Sequence, residues 1–185
     1  MTRLNTFLAV CFLVMLPAAR AGATSITFSG TLHGSNENPP NGSPGTGAIT
    51  AVLDDVADTL EVTESFVDLT APDSAAHIHC CAAPGTNAPV VLNFVGTGFP
   101  IGVTAGTYHH IFDLTTSLSG ISVSTFISNL EGGLAYANIH DANFPGGEIR
   151  AQLLPAVVAT PEPGSLFLCA TGLLAAARSL RRRRR

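Results

Sequence analysis

The residues best suited to chemistry stand together at His77-Ile78-His79-Cys80-Cys81. On a β-strand, residues two apart project from the same face, so His77 and His79 share one side and Ile78 points into a core. Two imidazoles side by side form half a site for copper or zinc. The pattern is not specific alone, because many His-x-His pairs are simply polar residues on a strand face. The adjacent cysteines leave three outcomes open in an oxidising compartment. They can form a disulfide, with each other or between chains; they can stay free as soft ligands for Cu(I) or zinc; or they can be inert.

A second segment, Tyr136-Ala137-Asn138-Ile139-His140, puts Tyr136, Asn138 and His140 on one face by the same alternation. The expected metal set is therefore His77, His79 and His140, joined by Cys80 or Cys81. The Pro145-Gly146-Gly147 turn then leads into a closing strand with Glu148, Arg150 and Gln152 on one face. Arg150 is expected to form an ion pair with Glu148 or another carboxylate, a structural role. His109-His110 alternate across a strand and read as surface residues, and His33 reaches the histidine segment only if the first strand lies beside it. No nucleophile elbow, phosphate loop or catalytic carboxylate pair is present, so no catalytic residue is assigned.

These residues need strands to position them, and glycine and proline punctuate the chain into short alternating runs. Strands are expected at Ser25–His33, Ala48–Leu53, Leu60–Val67, Ala75–His79, Pro89–Phe94, Thr107–Leu114, Leu134–His140 and Glu148–Leu154. Asn36–Gly47 reads as a long loop. The acidic run Asp54–Thr59 reads as a hairpin turn; it lacks the ligand spacing of a calcium loop. One short helix fits Ser124–Leu130, capped by Ser122 or Ser124 and ended by Gly132-Gly133. The expected fold is all-β, an antiparallel β-sandwich with one short helix.

Charge separates this domain from its flanks. From Thr24 to Thr160 there are twelve acidic residues against one arginine, a net of −11, and the chain has no lysine. Such a domain excludes nucleic acid and is repelled by anionic membranes; divalent cations or neutral partners suit it better. The N-terminus reads as a cleaved export signal over 1–23: Arg3, an apolar core Phe7–Leu16, Pro17, then Ala19-Arg20-Ala21-Gly22-Ala23 as substrate for a signal peptidase. A domain over 24–155 and a linker over 156–160 follow. The last segment, 161–185, holds Pro161-Glu162-Pro163, an apolar helix over Ser165–Ala177, then Arg178 and Arg181, Arg182, Arg183, Arg184 and Arg185. That helix is about 13 residues, short for a bilayer span, and the arginines act as a stop-transfer block.

The tail resembles the PEP-CTERM sorting signal: Pro-Glu-Pro, apolar helix and arginine cluster in that order. The resemblance implies recognition by an exosortase, transient insertion in the inner membrane, removal of the tail, and delivery to the cell surface or extracellular polysaccharide. A permanent anchor is the alternative. The body resembles the CHRD domain in Ala76-His77-Ile78-His79, Tyr136-Ala137-Asn138-Ile139-His140 and Pro145-Gly146-Gly147-Glu148-Ile149-Arg150-Ala151-Gln152. Phe28-Ser29-Gly30-Thr31-Leu32 and Asn36-Glu37-Asn38-Pro39-Pro40 match its first strand and loop. It implies an immunoglobulin-like sandwich and a non-enzymatic extracellular module of poorly defined function; extracellular polysaccharide or surface proteins are the expected partners. Cys80-Cys81, and the longer loop to Pro89, depart from the usual Gly-Pro after the His-x-His. A metal-binding protein for copper or zinc is the alternative function. The segment also resembles the copper strand of Cu/Zn superoxide dismutases, but no second histidine cluster with a zinc-binding aspartate follows.

Overall fold

Strict alternation builds the longest hairpin. In β2 (Thr46–Asp54), Ile49, Ala51 and Leu53 face inward, and in β3 (Thr59–Val67), Leu60, Val62 and Phe66 meet them. Asp54 makes the turn, its Oδ1 accepting from the amides of Val56 and Ala57 at 3.0 and 2.9 Å, and Asp58 takes the left-handed conformation at φ 52°. The acidic run is thus spent on turn geometry.

The computed structural model describes residues 25–156; the export signal and the sorting tail expected from the sequence lie outside them. The other strands are β1 (Ile26–His33), β4 (Asp73–Cys80), β5 (Val90–Asn93), β6 (Gly106–Asp113), β7 (Ala135–Asp141), β8 (Ile149–Gln152) and β9 (Leu154–Pro155). They run antiparallel in the order β5-β4-β7-β8-β1-β2-β3-β6, with β9 added to β1. The path curls so that its inward faces close on one core, centred on Phe28, Leu32, Phe66, Ile78, Phe94 and Phe112. Each such side chain contributes about 1.5–3 kcal/mol by leaving water. The fold is all-β, as alternation predicts.

Two short helices bridge β6 and β7. The one-turn α1 (Leu114–Ser117) is capped by Asp113, whose side chain accepts from the Thr115 amide. The expected helix is α2 (Val123–Glu131): Ser122 accepts from the Thr125 amide, Phe126 and Leu130 are buried, and Gly133 ends it at φ 68°. Among the described residues no helix is long and apolar enough to cross a membrane. The last strand expected from sequence is broken at Leu153, whose amide bonds to the Ala135 carbonyl at 3.0 Å. Beyond that break, β9 crosses to pair with Phe28 and Ser29 of β1.

Candidate metal centre

The pairing of β4 with β7 assembles the site. Its register sets His77 opposite Asn138, His79 opposite Tyr136 and Ala75 opposite His140, while β8 sets Arg150 beside Asn138. The inward faces carry Ala76 and Ile78 on β4 and Ala137 and Ile139 on β7, all buried. The outward face therefore carries His77, His79, Tyr136, Asn138, His140 and Arg150 as one polar layer.

Two loops cover this layer. The one after β1 begins with a 3-10 turn (Gly34–Asn36) and is tied down by amides: Asn36 Nδ2 donates to the Arg150 carbonyl at 3.0 Å, and Asn41 Nδ2 to the Glu148 carbonyl at 3.0 Å. The other runs from Cys81 to Pro89. Its Ala88 carbonyl accepts from His79 Nδ1 at 2.8 Å, and its Ala88 amide donates to the Tyr136 hydroxyl at 3.2 Å. This loop is thus the segment that orients His79.

The three histidines converge. One ring nitrogen from each of His77, His79 and His140 lies within 4.8 Å of the others. His77 Nδ1 is 3.2 Å from His140 Nε2. Asn138 Oδ1 sits between the rings, 2.9 Å from His79 Nε2 and 3.0 Å from His140 Nε2, and His140 Nδ1 meets the Pro145 carbonyl at 3.1 Å. Burial, with repulsion from His140 and His79, pushes His77 down to about 4. Burial also holds His79 and His140 below the usual histidine range, against the hydrogen bonds they make to the Ala88 and Pro145 carbonyls and to Asn138, which work the other way. At neutral pH all three rings are neutral, the form that ligates a metal. His79 is nearly buried, while His77 and His140 keep partial access to solvent.

The cysteines do not join this cluster. Cys80 and Cys81 are bonded to each other as a disulfide, and the peptide between them is cis. Cys80 lies on the core side of β4 with Ala76 and Ile78, opposite the histidine face. Alternation alone rules it out as a partner of His79. His109 pairs with Glu61 at 2.8 Å on the exposed face of β6, and His33 pairs with Arg150 in the sheet without entering the cluster.

Arg150 departs from its expected role. Its guanidinium donates to Asn87 Oδ1 at 3.2 Å and to the Thr86 carbonyl at 2.9 Å, and its carbon lies 3.3 Å over the Tyr136 ring. His79 stacks on the same ring at 4.6 Å and 3°. Both fit only on opposite faces, so Tyr136 is clamped between them. Arg150 and Glu37 attract each other electrostatically without forming a direct ion pair. Glu148 instead accepts from Ser43 Oγ at 2.6 Å and from the Thr70 amide at 2.7 Å. A hairpin geometry places Glu148 ahead of β8 and turns it away, which side-chain alternation along one unbroken strand does not foresee. Glu37 and Arg150 also line an open groove of about 770 Å³ with Asn36, Asn38 and Gln152.

Alternation alone puts Asn138 on the face of Tyr136 and His140; its place between the rings of His79 and His140 comes from the pairing of β4 with β7. Gly147 makes room for it. That residue adopts φ 129°, and a Cβ there would meet Asn138 Nδ2 at 2.6 Å and collide with the Glu37 carboxylate.

A family model described as the CHRD domain matches residues 28–153, and one described as the PEP-CTERM protein-sorting motif matches residues 159–184. No curated protein and no solved structure matches the chain.

Proposed function

The chain belongs to the CHRD domain family, and from that premise we propose that it is a non-catalytic surface module whose site binds one copper or zinc ion through His77, His79 and His140. Its PEP-CTERM motif marks an exported protein with a membrane-anchored precursor, processed by an exosortase and placed at the cell surface. Neither family is enzymatic. Signal peptidase acts at the end of the 1–23 leader, and the mature domain then meets polysaccharide or surface proteins.

One observation carries the metal reading: three neutral imidazole nitrogens within 4.8 Å on a rigid pair of strands. Ring nitrogens of a metal's ligands stand about 3–4 Å apart when each bond is about 2.0–2.1 Å, so small side-chain movements close the site. Carbonyl oxygens of Ala88 and Pro145 orient two of the rings from outside, as partners of ligating histidines do. Titrating the metal-stripped exported protein with Cu(II) and with Zn(II) tests it. One equivalent binds at neutral pH, and His79→Ala abolishes the uptake. A wild-type chain that binds neither ion overturns the proposal.

A further inference from the structure

An asparagine amide fits the same space either way round, and the hydrogens about it decide which end is nitrogen. Around Asn138 the backbone fixes those hydrogens. A neutral imidazole carries one N–H. His79 holds it on Nδ1, against the Ala88 carbonyl at 2.8 Å, and His140 holds it on Nδ1, against the Pro145 carbonyl at 3.1 Å. Both Nε2 atoms are therefore acceptors, and the inner end of the Asn138 amide lies 2.9 Å from one and 3.0 Å from the other. An oxygen there sets acceptor against acceptor twice. Turned over, the amide presents its nitrogen, whose two hydrogens answer the two lone pairs. His77 Nδ1, 3.2 Å from His140 Nε2, can donate to that ring as well. The outer end of the amide is then oxygen and faces Glu37 across 3.5 Å. Burial pushes that carboxyl up to about 7, so below neutrality it carries a hydrogen to offer. The layer is complete with no cation in it.

We propose that Asn138 is the gate of the histidine site: its amide nitrogen bridges His79 Nε2 and His140 Nε2 in the metal-free protein, and an ion reaches the three rings only by displacing it. This rests on the metal reading above. The lone pairs that the bridge occupies are the ones a metal needs, because Nδ1 of both rings is already engaged with a carbonyl. Asn138 therefore competes with the ion. The gate also sorts ions. A net charge of −11 over Thr24–Thr160 attracts divalent cations of every kind. Ca(II) and Mg(II) seek oxygen donors and gain little from imidazole, whereas Cu(II) and Zn(II) bond it well enough to displace an amide.

Nuclear magnetic resonance of the nitrogen-labelled exported protein, first metal-free and then saturated with Zn(II), tests the gate. In the metal-free wild type, the Asn138 amide nitrogen shows couplings through its hydrogen bonds to Nε2 of His79 and of His140, and both rings are the Nδ1–H tautomer. Zn(II) abolishes the couplings. Asn138→Ala removes the competitor while the two carbonyls still orient the rings. It therefore tightens Zn(II) binding by about 10–100-fold, the combined effect of two ordinary hydrogen bonds missing from the metal-free protein. Couplings absent from the metal-free wild type, or surviving saturation with Zn(II), overturn the gate. So does a folded Asn138→Ala chain with unchanged or weakened affinity. In those cases the three-histidine site still stands on its Zn(II) uptake. A wild type that binds neither Zn(II) nor Cu(II) overturns the metal reading and the gate together, whatever the couplings show.

Discussion

A carboxyl group on the core face of β3 sets the alkaline side of this protein's stability response to pH. Glu64 alternates with Val62 and Phe66, is 1% exposed, and neither oxygen has a hydrogen-bond partner. Burial pushes its carboxyl up to about 8, from an ordinary value of 4.5. Native Glu64 therefore keeps a proton that the unfolded chain loses. The Glu64 contribution falls as pH rises from about 4.5 to about 8 and levels off above, by on the order of a few kcal/mol. Glu37, pushed up to about 7 chiefly by burial, acts in the same sense. The depressed histidines, His77 above all, act in the opposite sense between about 4 and 6.5, so the net fall is read between about 6.5 and 8. Denaturant melts across this range check the slope, and Glu64→Gln flattens it. Gly147 makes a second prediction at this scale. Gly147→Ala forces a Cβ against Asn138 and Glu37 at a φ that alanine resists, costing about 2 kcal/mol or more. It also weakens Cu(II) uptake, read by the same titration as the wild type. Both residues show where reading a sequence stops. Glu64 sits in an alternating run and looks like any polar strand residue, because its lack of a partner depends on β6 and the core around it. Gly147 looks like one half of a turn, and its second task of clearing space for Asn138 involves a loop that starts over a hundred positions earlier.

Strands were the legible elements, because each carries its own period. Ile49, Ala51 and Leu53 against Leu60, Val62 and Phe66 need no knowledge of the rest of the chain to declare a hairpin. The His77–His79 pair was equally local. Its meeting with His140 was not, since that depends on β4 and β7 pairing in a register that puts His77 against Asn138 across some sixty residues. The break at Leu153 and the single turn α1 also escaped local patterns, being settled by what the chain must cross next. The disulfide was open in the sequence among several outcomes, and strand alternation then removes Cys80 from the histidine face. At the level of elements, α2 supports the core and not the site. Phe126 is fully buried with the core cluster, on the side of the sheet opposite the histidine layer. Phe126→Ala costs about 3–5 kcal/mol in a denaturant melt and leaves metal stoichiometry unchanged. A loss of metal with the fold intact would place α2 in the site.

As a whole, the molecule is an acidic body delivered by signals at its ends. Over Thr24–Thr160 the net charge is −11, whereas the full chain reads only −4, because the arginines sit in the flanks. The net negative charge of that span attracts cations and repels anionic membranes. The lone cation of the domain, Arg150, is held against Tyr136 and backs the site from beneath. Composition made the field legible, and the order of motifs in the tail made the route legible. Neither reveals what the surface domain holds, because that depends on atoms brought together by folding. Native mass spectrometry of the mature protein recovered from the cell surface tests the central claim most directly. After equilibration with Cu(II) or Zn(II), the account predicts one metal ion per chain in the wild type and none in His79→Ala. A wild-type chain that keeps its metal-free mass in both ions would contradict it.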